Sequence, residues 1–464
     1  MFKIEEIIKA TSGVLVRGDK QMKVGGVSTD TRTLQKGELF VAVRGDKFDG
    51  HDFLKEAVEK GASVLLISSM VSPACLERSK ISRGKNDIAI IEVEDTIKAF
   101  GDLAGFHRAR LNAPVIAITG SNGKTTTKDM AFSVLAKKYN VLKNEGTFNN
   151  HIGVPATILK AKSVHEAVVL ELGTNHPGEI AYLAKIAKPT CGIITNIGLS
   201  HMEFFMNQEN VLKEKMDIFK YFSKDNVAIL NGDDELLRNA KLDPKKVFFG
   251  TDPKLDVYAA DIKTGDGHIE YLLNGKDKIR LNVYGMHNIS NSLAAIACAK
   301  HLGVGIKDIQ SALEEFKPPK MRMEKVLVND ILLINDAYNA NPKSMRLGIE
   351  TLQNLSTQGK RILVAADMLE LGKEAPGFHY EIGALAAESG LDYLLAVGEL
   401  SKNIYEGAKA KSKDGFKAMW FKTAKEAAES LLKIAKPKDA ILVKGSRAMK
   451  MEEVVQCFTT YYTR

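Results

Sequence analysis

Short apolar runs of strand length recur along the whole chain, and most are separated by stretches in which apolar positions return at helical spacing. In the first quarter the runs fall at residues 39–43, 63–67 and 88–93. The next group falls at 115–118, 139–143, 167–172, 192–196 and 226–231. Past residue 320 the rhythm resumes at 331–334, 361–365, 393–397 and 440–443. Alternation of this kind predicts an α/β fold of mainly parallel sheets covered by helices. Lys317-Pro-Pro-Lys320 is the best linker candidate, because paired prolines cannot extend a helix and stiffen a junction. Three domains are expected: a small α/β unit at 1–98, a large central unit at 99–318, and a Rossmann-like α/β unit at 319–464. No fixed-period repeat and no low-complexity tract is present.

Composition changes this picture little. The 464 residues are 45% hydrophobic and 26% charged, which suits an ordinary globular protein with an ample core. A net charge of +8 is modest for the length, and no basic cluster is interleaved with aromatics, so nucleic acid is not an expected partner. Cys75, Cys191, Cys298 and Cys457 stand far apart without metal-type pairing and are expected to be reduced and buried. The chain starts with acids where a secretory leader has an apolar run, and no stretch approaches the roughly 20 apolar residues of a membrane span. A soluble, cytoplasmic protein is the expectation.

Chemistry concentrates where apolar runs end. The run at 115–118 stops at Thr119 and passes into Gly120-Ser121-Asn122-Gly123-Lys124-Thr125-Thr126-Thr127, after which Met130, Ala131, Val134 and Leu135 recur at helical spacing. Strand, tight glycine loop and helix start aim backbone N–H groups and the helix dipole at an anion. Lys124 can neutralise a terminal phosphate, and Thr125 can offer a hydroxyl to Mg²⁺. The general phosphate-loop pattern has a glycine where Ile118 stands, so this is a shortened Gly-x-x-Gly-Lys-Thr loop. The central unit is therefore expected to carry a P-loop-type parallel sheet.

Glu171 ends another apolar run, where a carboxylate can reach a metal held over the phosphates; a surface glutamate is the plainer alternative. His201 follows a further run; a neutral imidazole there can ligate a metal, but by itself it reads first as a hydrogen-bonded structural residue. Lys215, in the charged run Lys213-Glu-Lys215-Met-Asp217, reads by itself as part of a solvated helix face. The amide-rich segment 144–153, with Thr147, Asn149 and Asn150, suits a loop for a polar substrate or a capped turn. The same pair of readings applies to Asp336-Ala-Tyr338-Asn339-Ala-Asn341-Pro342. In the first unit, Ser28-Thr-Asp30-Thr31-Arg32 and the Asp49 to His51 loop sit beside strands, where either ligand loops or plain turns occur.

These motifs resemble the Mur ligase family of ATP-dependent amide-bond synthetases nearly end to end. The likeness is carried by Thr119-Gly-Ser-Asn-Gly-Lys-Thr-Thr126, Glu171-Leu-Gly-Thr-Asn175, Thr195-Asn-Ile-Gly with Ser200-His-Met-Glu203, and Gly285-Met-His-Asn288-Ile-Ser-Asn291. Asn149-Asn-His-Ile-Gly-Val-Pro155, Asp336 to Pro342, Asp367-Met-Leu-Glu-Leu-Gly372 and Val443-Lys-Gly-Ser-Arg447 narrow it to a member that takes a dipeptide amine. The resemblance implies an ATP-dependent ligase of peptidoglycan precursor synthesis, joining D-alanyl-D-alanine to UDP-N-acetylmuramoyl-tripeptide as a monomer. It implies catalytic roles for Lys124, Glu171, His201 and Lys215. One Mg²⁺ would sit on Thr125 and Glu171, and a second on Glu171, His201 and Lys215 as a carbamate. ATP would meet residues 120–126, with Asn288 and Asn291 at the adenine and Arg322 and Asp336 at the ribose and phosphates. Ser28, Asp30, Thr31, Arg32, Asp49 and His51 would hold the uridine end. By position alone, Asn339, Asn341 and 444–447 are candidates for the dipeptide, and Thr147, Asn149 and Asn150 remain candidates for a polar substrate. Glu214, beside Lys215, stands where the family often has alanine. A different Mur-type or folylpolyglutamate synthase-like ligase is the alternative enzyme, and a regulatory P-loop switch without ligation is the alternative of another class.

Overall fold

A computed structural model of the chain describes residues 1–45, 48–70, 88–200, 202–265 and 267–463. Its largest element is a nine-stranded sheet. From one edge the strands run Val141–Lys143, Ala167–Glu171, Val115–Thr119, Cys191–Ile194, Val227–Asn231, Lys245–Gly250, Val257–Gly265, His268–Leu273 and Asp277–Leu281. The first seven pair in parallel, and the last two join antiparallel. Val115, Ile116, Ala117 and Ile118 are fully buried, because helices cover both faces of the sheet. The strand Val115–Thr119 lies between Ala167–Glu171 and Cys191–Ile194: the chain leaves it for strands on one side and later crosses to strands on the other. At such a switch point the loops beyond the carboxyl ends of the strands diverge and leave a crevice.

A second sheet of six strands forms the last third of the chain, in the order Glu324–Val328, Ile331–Asp336, Ala440–Lys444, Arg361–Ala366, Tyr393–Val397 and Lys417–Phe421. All but the first are parallel. The first unit is a five-stranded sheet with a separate two-stranded ribbon. Its core is continuous with one face of the central sheet: Ile7, Leu66, Leu103 and Ala117 belong to one apolar cluster, joined through the helix Thr96–Arg108. The expected linker lies between the helix Ile306–Glu314 and the strand Glu324–Val328, where Met321 and Met323 take left-handed backbone conformations.

The apolar runs become strands as expected, and the architecture is three-domain α/β with parallel-rich sheets. The three strands between residues 257 and 281 were not anticipated. They alternate buried and exposed positions over much of their length, as in His268–Leu273, so no continuous apolar run marks them. One cysteine also departs from expectation. Cys191 and Cys298 are buried, but Cys457 is exposed, because the last helix turns Val454, Val455 and Phe458 inward instead. Cys75 lies outside the described residues.

In the third unit the helices Ala375–Glu388 and Lys402–Ala410 cross at two glycines. A Cβ on Gly383 would strike the carbonyl of Ile404, and one on Gly407 the carbonyl of Tyr380. Gly383→Ala should therefore destabilise this unit by about 1–3 kcal/mol through overpacking, read as a lower urea midpoint for its unfolding.

Candidate active site

The phosphate-type loop occupies the switch point. Gly120 and Gly123 have φ of 147° and 80°, which side chains disfavour, and Gly123 leads directly into the helix Lys124–Leu135. A Cβ on Gly120 would collide with Thr195. The neighbouring strand end holds the loop in place. Ser121 N–H donates to the carbonyl of Asn196 at 3.0 Å, and Asn122 N–H donates to Asn196 Oδ1 at 3.1 Å. Thr195 Oγ1 and Asn196 Nδ2 donate to the Asn122 carbonyl at 2.6 and 3.1 Å. Lys124 Nζ folds back onto the Gly120 carbonyl at 2.9 Å. Burial and the nearby Arg322 guanidinium lower its pKa, and Glu171 acts in the opposite direction.

Glu171 ends the adjacent strand and is 1% exposed. Thr125 Oγ1 donates to its Oε2 at 2.7 Å, and Asn149 Nδ2 donates to its Oε1 at 2.7 Å. Both partners are neutral, and among the described residues no cationic side chain forms an ion pair with it. The loop after residue 143 is wrapped around this strand end. Asn144, fully buried, accepts from Glu171 N–H and donates to the Glu171 and Phe148 carbonyls. Lys128, on the helix after the phosphate-type loop, is 1% exposed and donates to the carbonyls of Asn144 and Gly146 at 3.0 and 2.9 Å. A single lysine thus fastens the loop carrying Thr147, Asn149 and Asn150 to that helix.

The third unit faces this crevice with its own strand ends. Asp336 and Lys444 are register partners on adjacent parallel strands, and their side chains form a buried ion pair at 2.5 Å. Lys444 Nζ also donates to the Asn339 carbonyl, and Met323 N–H donates to Asp336 Oδ1. The Arg322 guanidinium stacks on the Tyr338 ring at 4.0 Å. From the central unit, His287 approaches this pair. Its Nδ1 is buried and has no partner among the described residues. Burial lowers the pKa of the imidazole, with Asp336 opposing and Lys444 adding to the effect. Asn288 and Asn291, both buried, interlock: Asn291 Nδ2 donates to Asn288 Oδ1, and Asn291 Oδ1 accepts from Thr127 Oγ1.

Between the two units lies a cavity of about 720 Å³. Residues 121–126, Thr147, Asn149, Asn150, Glu171, Asn288, Asn291, Arg322, Asp336, Asn339 and Asn341 all line it; Gly120 precedes this lining in the loop and is not part of it. The first-unit candidates stand apart from this lining. Asp30 and Arg32 pair with each other at 2.6 Å, beside Ser28, and Thr31 is buried with its carbonyl on Lys60 Nζ. His51 is buried with both ring nitrogens engaged, Nδ1 on Asp49 at 2.5 Å and Nε2 accepting from Ser68 N–H at 3.0 Å.

His201 lies outside the described residues. Lys215 is 2% exposed, so the solvated-face reading of its charged run does not hold. The helix Gln208–Met216 turns Val211, Glu214 and Lys215 inward. Burial and the nearby Lys124 hold the Lys215 pKa well below the usual amine value. Glu214 is occupied elsewhere: it accepts from Thr174 Oγ1, Gly178 N–H and Ile180 N–H at 3.1, 2.6 and 2.8 Å, at the start of the helix Glu179–Ala187. Lys128, Asn144, Glu214 and His287 carry no role in the sequence reading. Lys128 and Glu214 sit in charged stretches that resemble surface helix, and only tertiary contacts distinguish them.

A glycine loop at the switch point of one parallel sheet faces the strand ends of another across a cleft, and the chain belongs to the Mur ligase family of ATP-dependent ligases. The family's middle domain matches residues 118–299, its glutamate ligase domain residues 321–447, and its catalytic domain residues 23–108. The chain is 36% identical to the UDP-N-acetylmuramoyl-tripeptide–D-alanyl-D-alanine ligase of Bacillus subtilis, over 98% of this chain and 97% of the relative. It is 36% identical to the enzyme of the same name from Escherichia coli, over 93% and 92%. Among solved structures, MurF from Acinetobacter baumannii superposes with a TM-score of 0.88 at 31% identity, covering 99% of both chains. MurF ligase from Thermotoga maritima in complex with ADP superposes with a TM-score of 0.82 at 27% identity, covering 94% of this chain and 98% of that one.

Glu214→Ala should remove three hydrogen bonds to a carboxylate and leave the buried Ile180 N–H without its partner. A loss of about 2–3 kcal/mol in stability is expected, read as a lower Tm, and Glu214→Gln should lose less.

Proposed function

We propose that the chain is an ATP-dependent ligase that joins D-alanyl-D-alanine to UDP-N-acetylmuramoyl-tripeptide in peptidoglycan precursor synthesis. The observation that carries this reading is Glu171, a buried carboxylate without an ion-pair partner among the described residues, held by Thr125 against a phosphate-type loop. The full-length similarity to enzymes named for this reaction supplies the substrates.

The terminal carboxylate of the tripeptide attacks the γ-phosphorus of ATP, and ADP leaves. The resulting acyl phosphate has a good leaving group where the carboxylate had none. The dipeptide amine then adds to the acyl carbon, and the tetrahedral adduct expels phosphate to form the amide. Lys124 and the N–H groups of residues 121–125 offset the charge that gathers on the transferred group. Arg322, from the facing unit, adds a cation on the other side. Closing the two units together excludes water that would hydrolyse the acyl phosphate.

The donors fit Mg²⁺, which prefers oxygen ligands and takes few from protein. Thr125 and Glu171 would hold one ion; Glu171, His201 and Lys215 as a carbamate would hold a second. Such ions compensate the repulsion between carboxylate and phosphate. A lysine buried beside another cation is biased toward the neutral amine. That amine adds to CO₂ with loss of a proton, which turns the side chain into an oxygen-donor anion. In this reading residues 1–98 hold the uridine end through Ser28, Asp30, Thr31, Arg32, Asp49 and His51. Residues 99–318 hold ATP, with Asn288 and Asn291 near the adenine, and 319–464 bring the dipeptide. In this reading the enzyme works as a monomer in the cytoplasm.

Purified protein should release phosphate from ATP only when UDP-N-acetylmuramoyl-tripeptide and D-alanyl-D-alanine are both present; equal turnover with a single amino acid would sink the dipeptide assignment. Lys215→Ala should be inactive and partly rescued by short-chain carboxylic acids, which can occupy the place of the carbamate. Full activity in that variant would remove the carbamate from the site.

A further inference from the structure

One hydrogen bond crosses the cleft directly between the phosphate-type loop and the third unit. Asn341 Nδ2 donates to Asn122 Oδ1 at 2.7 Å, across 219 residues of sequence. Both ends are fixed independently. Asn341 is the N-cap of the helix Pro342–Gln353, and its Oδ1 accepts from Ser344 N–H at 2.9 Å while Ser344 Oγ accepts from Asn341 N–H at 3.0 Å. The cap requires the amide oxygen to face the helix, so the amide nitrogen must face outward, toward Asn122. Asn122 in turn has its N–H and carbonyl engaged by Asn196 and Thr195. It directly precedes Gly123 and Lys124, so any displacement of Asn122 is passed to the first N–H groups of the helix.

We propose that Asn341 is a positioning residue that latches the third unit onto the phosphate-type loop, making the loop's working geometry conditional on closure. The inference rests on the ligase reading for its consequence in catalysis, but the contact itself does not. Asn341 therefore acts through Asn122 rather than by holding substrate: one end of its amide caps a helix and the other is given to the loop. The segment between Asp336 and Asn341 is anchored to the same structure, by Lys444 on the Asn339 carbonyl and by Tyr338 N–H on the Met321 carbonyl. Closure thus delivers Asp336, Arg322 and the latch together. A loop held open would still bind ATP through the central unit, but would transfer the γ-phosphate poorly and expose the acyl phosphate to water.

The test is Asn341→Ser. Serine caps a helix about as well as asparagine but is too short to reach Asn122. Loss of one hydrogen bond at the closed state should lower kcat by roughly tenfold, change the KM for ATP less than about twofold, and raise phosphate released per amide formed above one. In parallel, thermal unfolding with ADP and Mg²⁺ is measured for Asn122→Ala, Asn341→Ser and the double variant. The two substitutions should be non-additive, because each removes the same contact. Additive effects on unfolding, or an unchanged kcat with unchanged phosphate-to-amide ratio, would overturn the latch. If the parent protein does not turn over the proposed substrates, the ligase reading fails, and the unfolding cycle alone decides whether the latch exists.

Discussion

A carboxylate buried at the end of a parallel strand, with only neutral hydrogen-bond donors on it among the described residues, sets the terms for the centre of this molecule. Burying a charge is costly, and among the described residues Glu171 receives a hydroxyl and an amide, with Lys124 and Lys128 acting on it from further off. The rest of the central unit is arranged so that this state can persist. The glycine loop keeps its backbone donors close by, Lys124 stands off on loop carbonyls, and Asn144 fixes the carboxylate's own backbone. Lys128 then secures the covering loop, so that Asn149 stays on Glu171. Each of these contacts is intelligible as support for one negative charge beside the glycine loop.

The second organising fact is that two α/β units point the carboxyl ends of their sheets at each other. In each unit the polar residues appear where apolar strands run out: Thr119, Glu171 and Asn196 on one side, Asp336 and Lys444 on the other. Neither face alone makes a complete site for joining a phosphorylated acid to an amine. The glycine loop belongs to one body, and the groups opposing it across the cavity, including Arg322, belong to the other. Such a division lets the cleft admit large substrates when open and exclude water when closed.

Much of the fold was legible because parallel strands buried on both faces read as unbroken apolar runs. Residues 115–118 and 440–443 are examples, and their polar terminators named several lining residues in advance. The strands between 257 and 281, and the edge strands Glu324–Val328 and Lys417–Phe421, lack that signal because part of each faces solvent. Within the site, the limit was charge in helices. Lys128, Glu214 and Lys215 sit in sequence among other charged residues, and nothing local separates an inward lysine from an outward one. Lys128 and Glu214 are held inward by partners 16 to 36 residues away, the carbonyls at 144 and 146 and the helix start at 178–180. His287 was visible within a quoted motif, but its approach to Asp336 and Lys444 depends on how two units meet.

The Asp336–Lys444 pair has a consequence for the entropy of closure. Because the two residues are register partners within one sheet, their side chains are immobilised when that sheet folds, before the units meet. Ordering a long lysine side chain costs on the order of 1.5–2 kcal/mol, and here the cost falls on folding rather than on each catalytic cycle. The third unit therefore arrives at the cleft with this part of its surface already rigid, and the free energy of substrate binding is left to align the substrates.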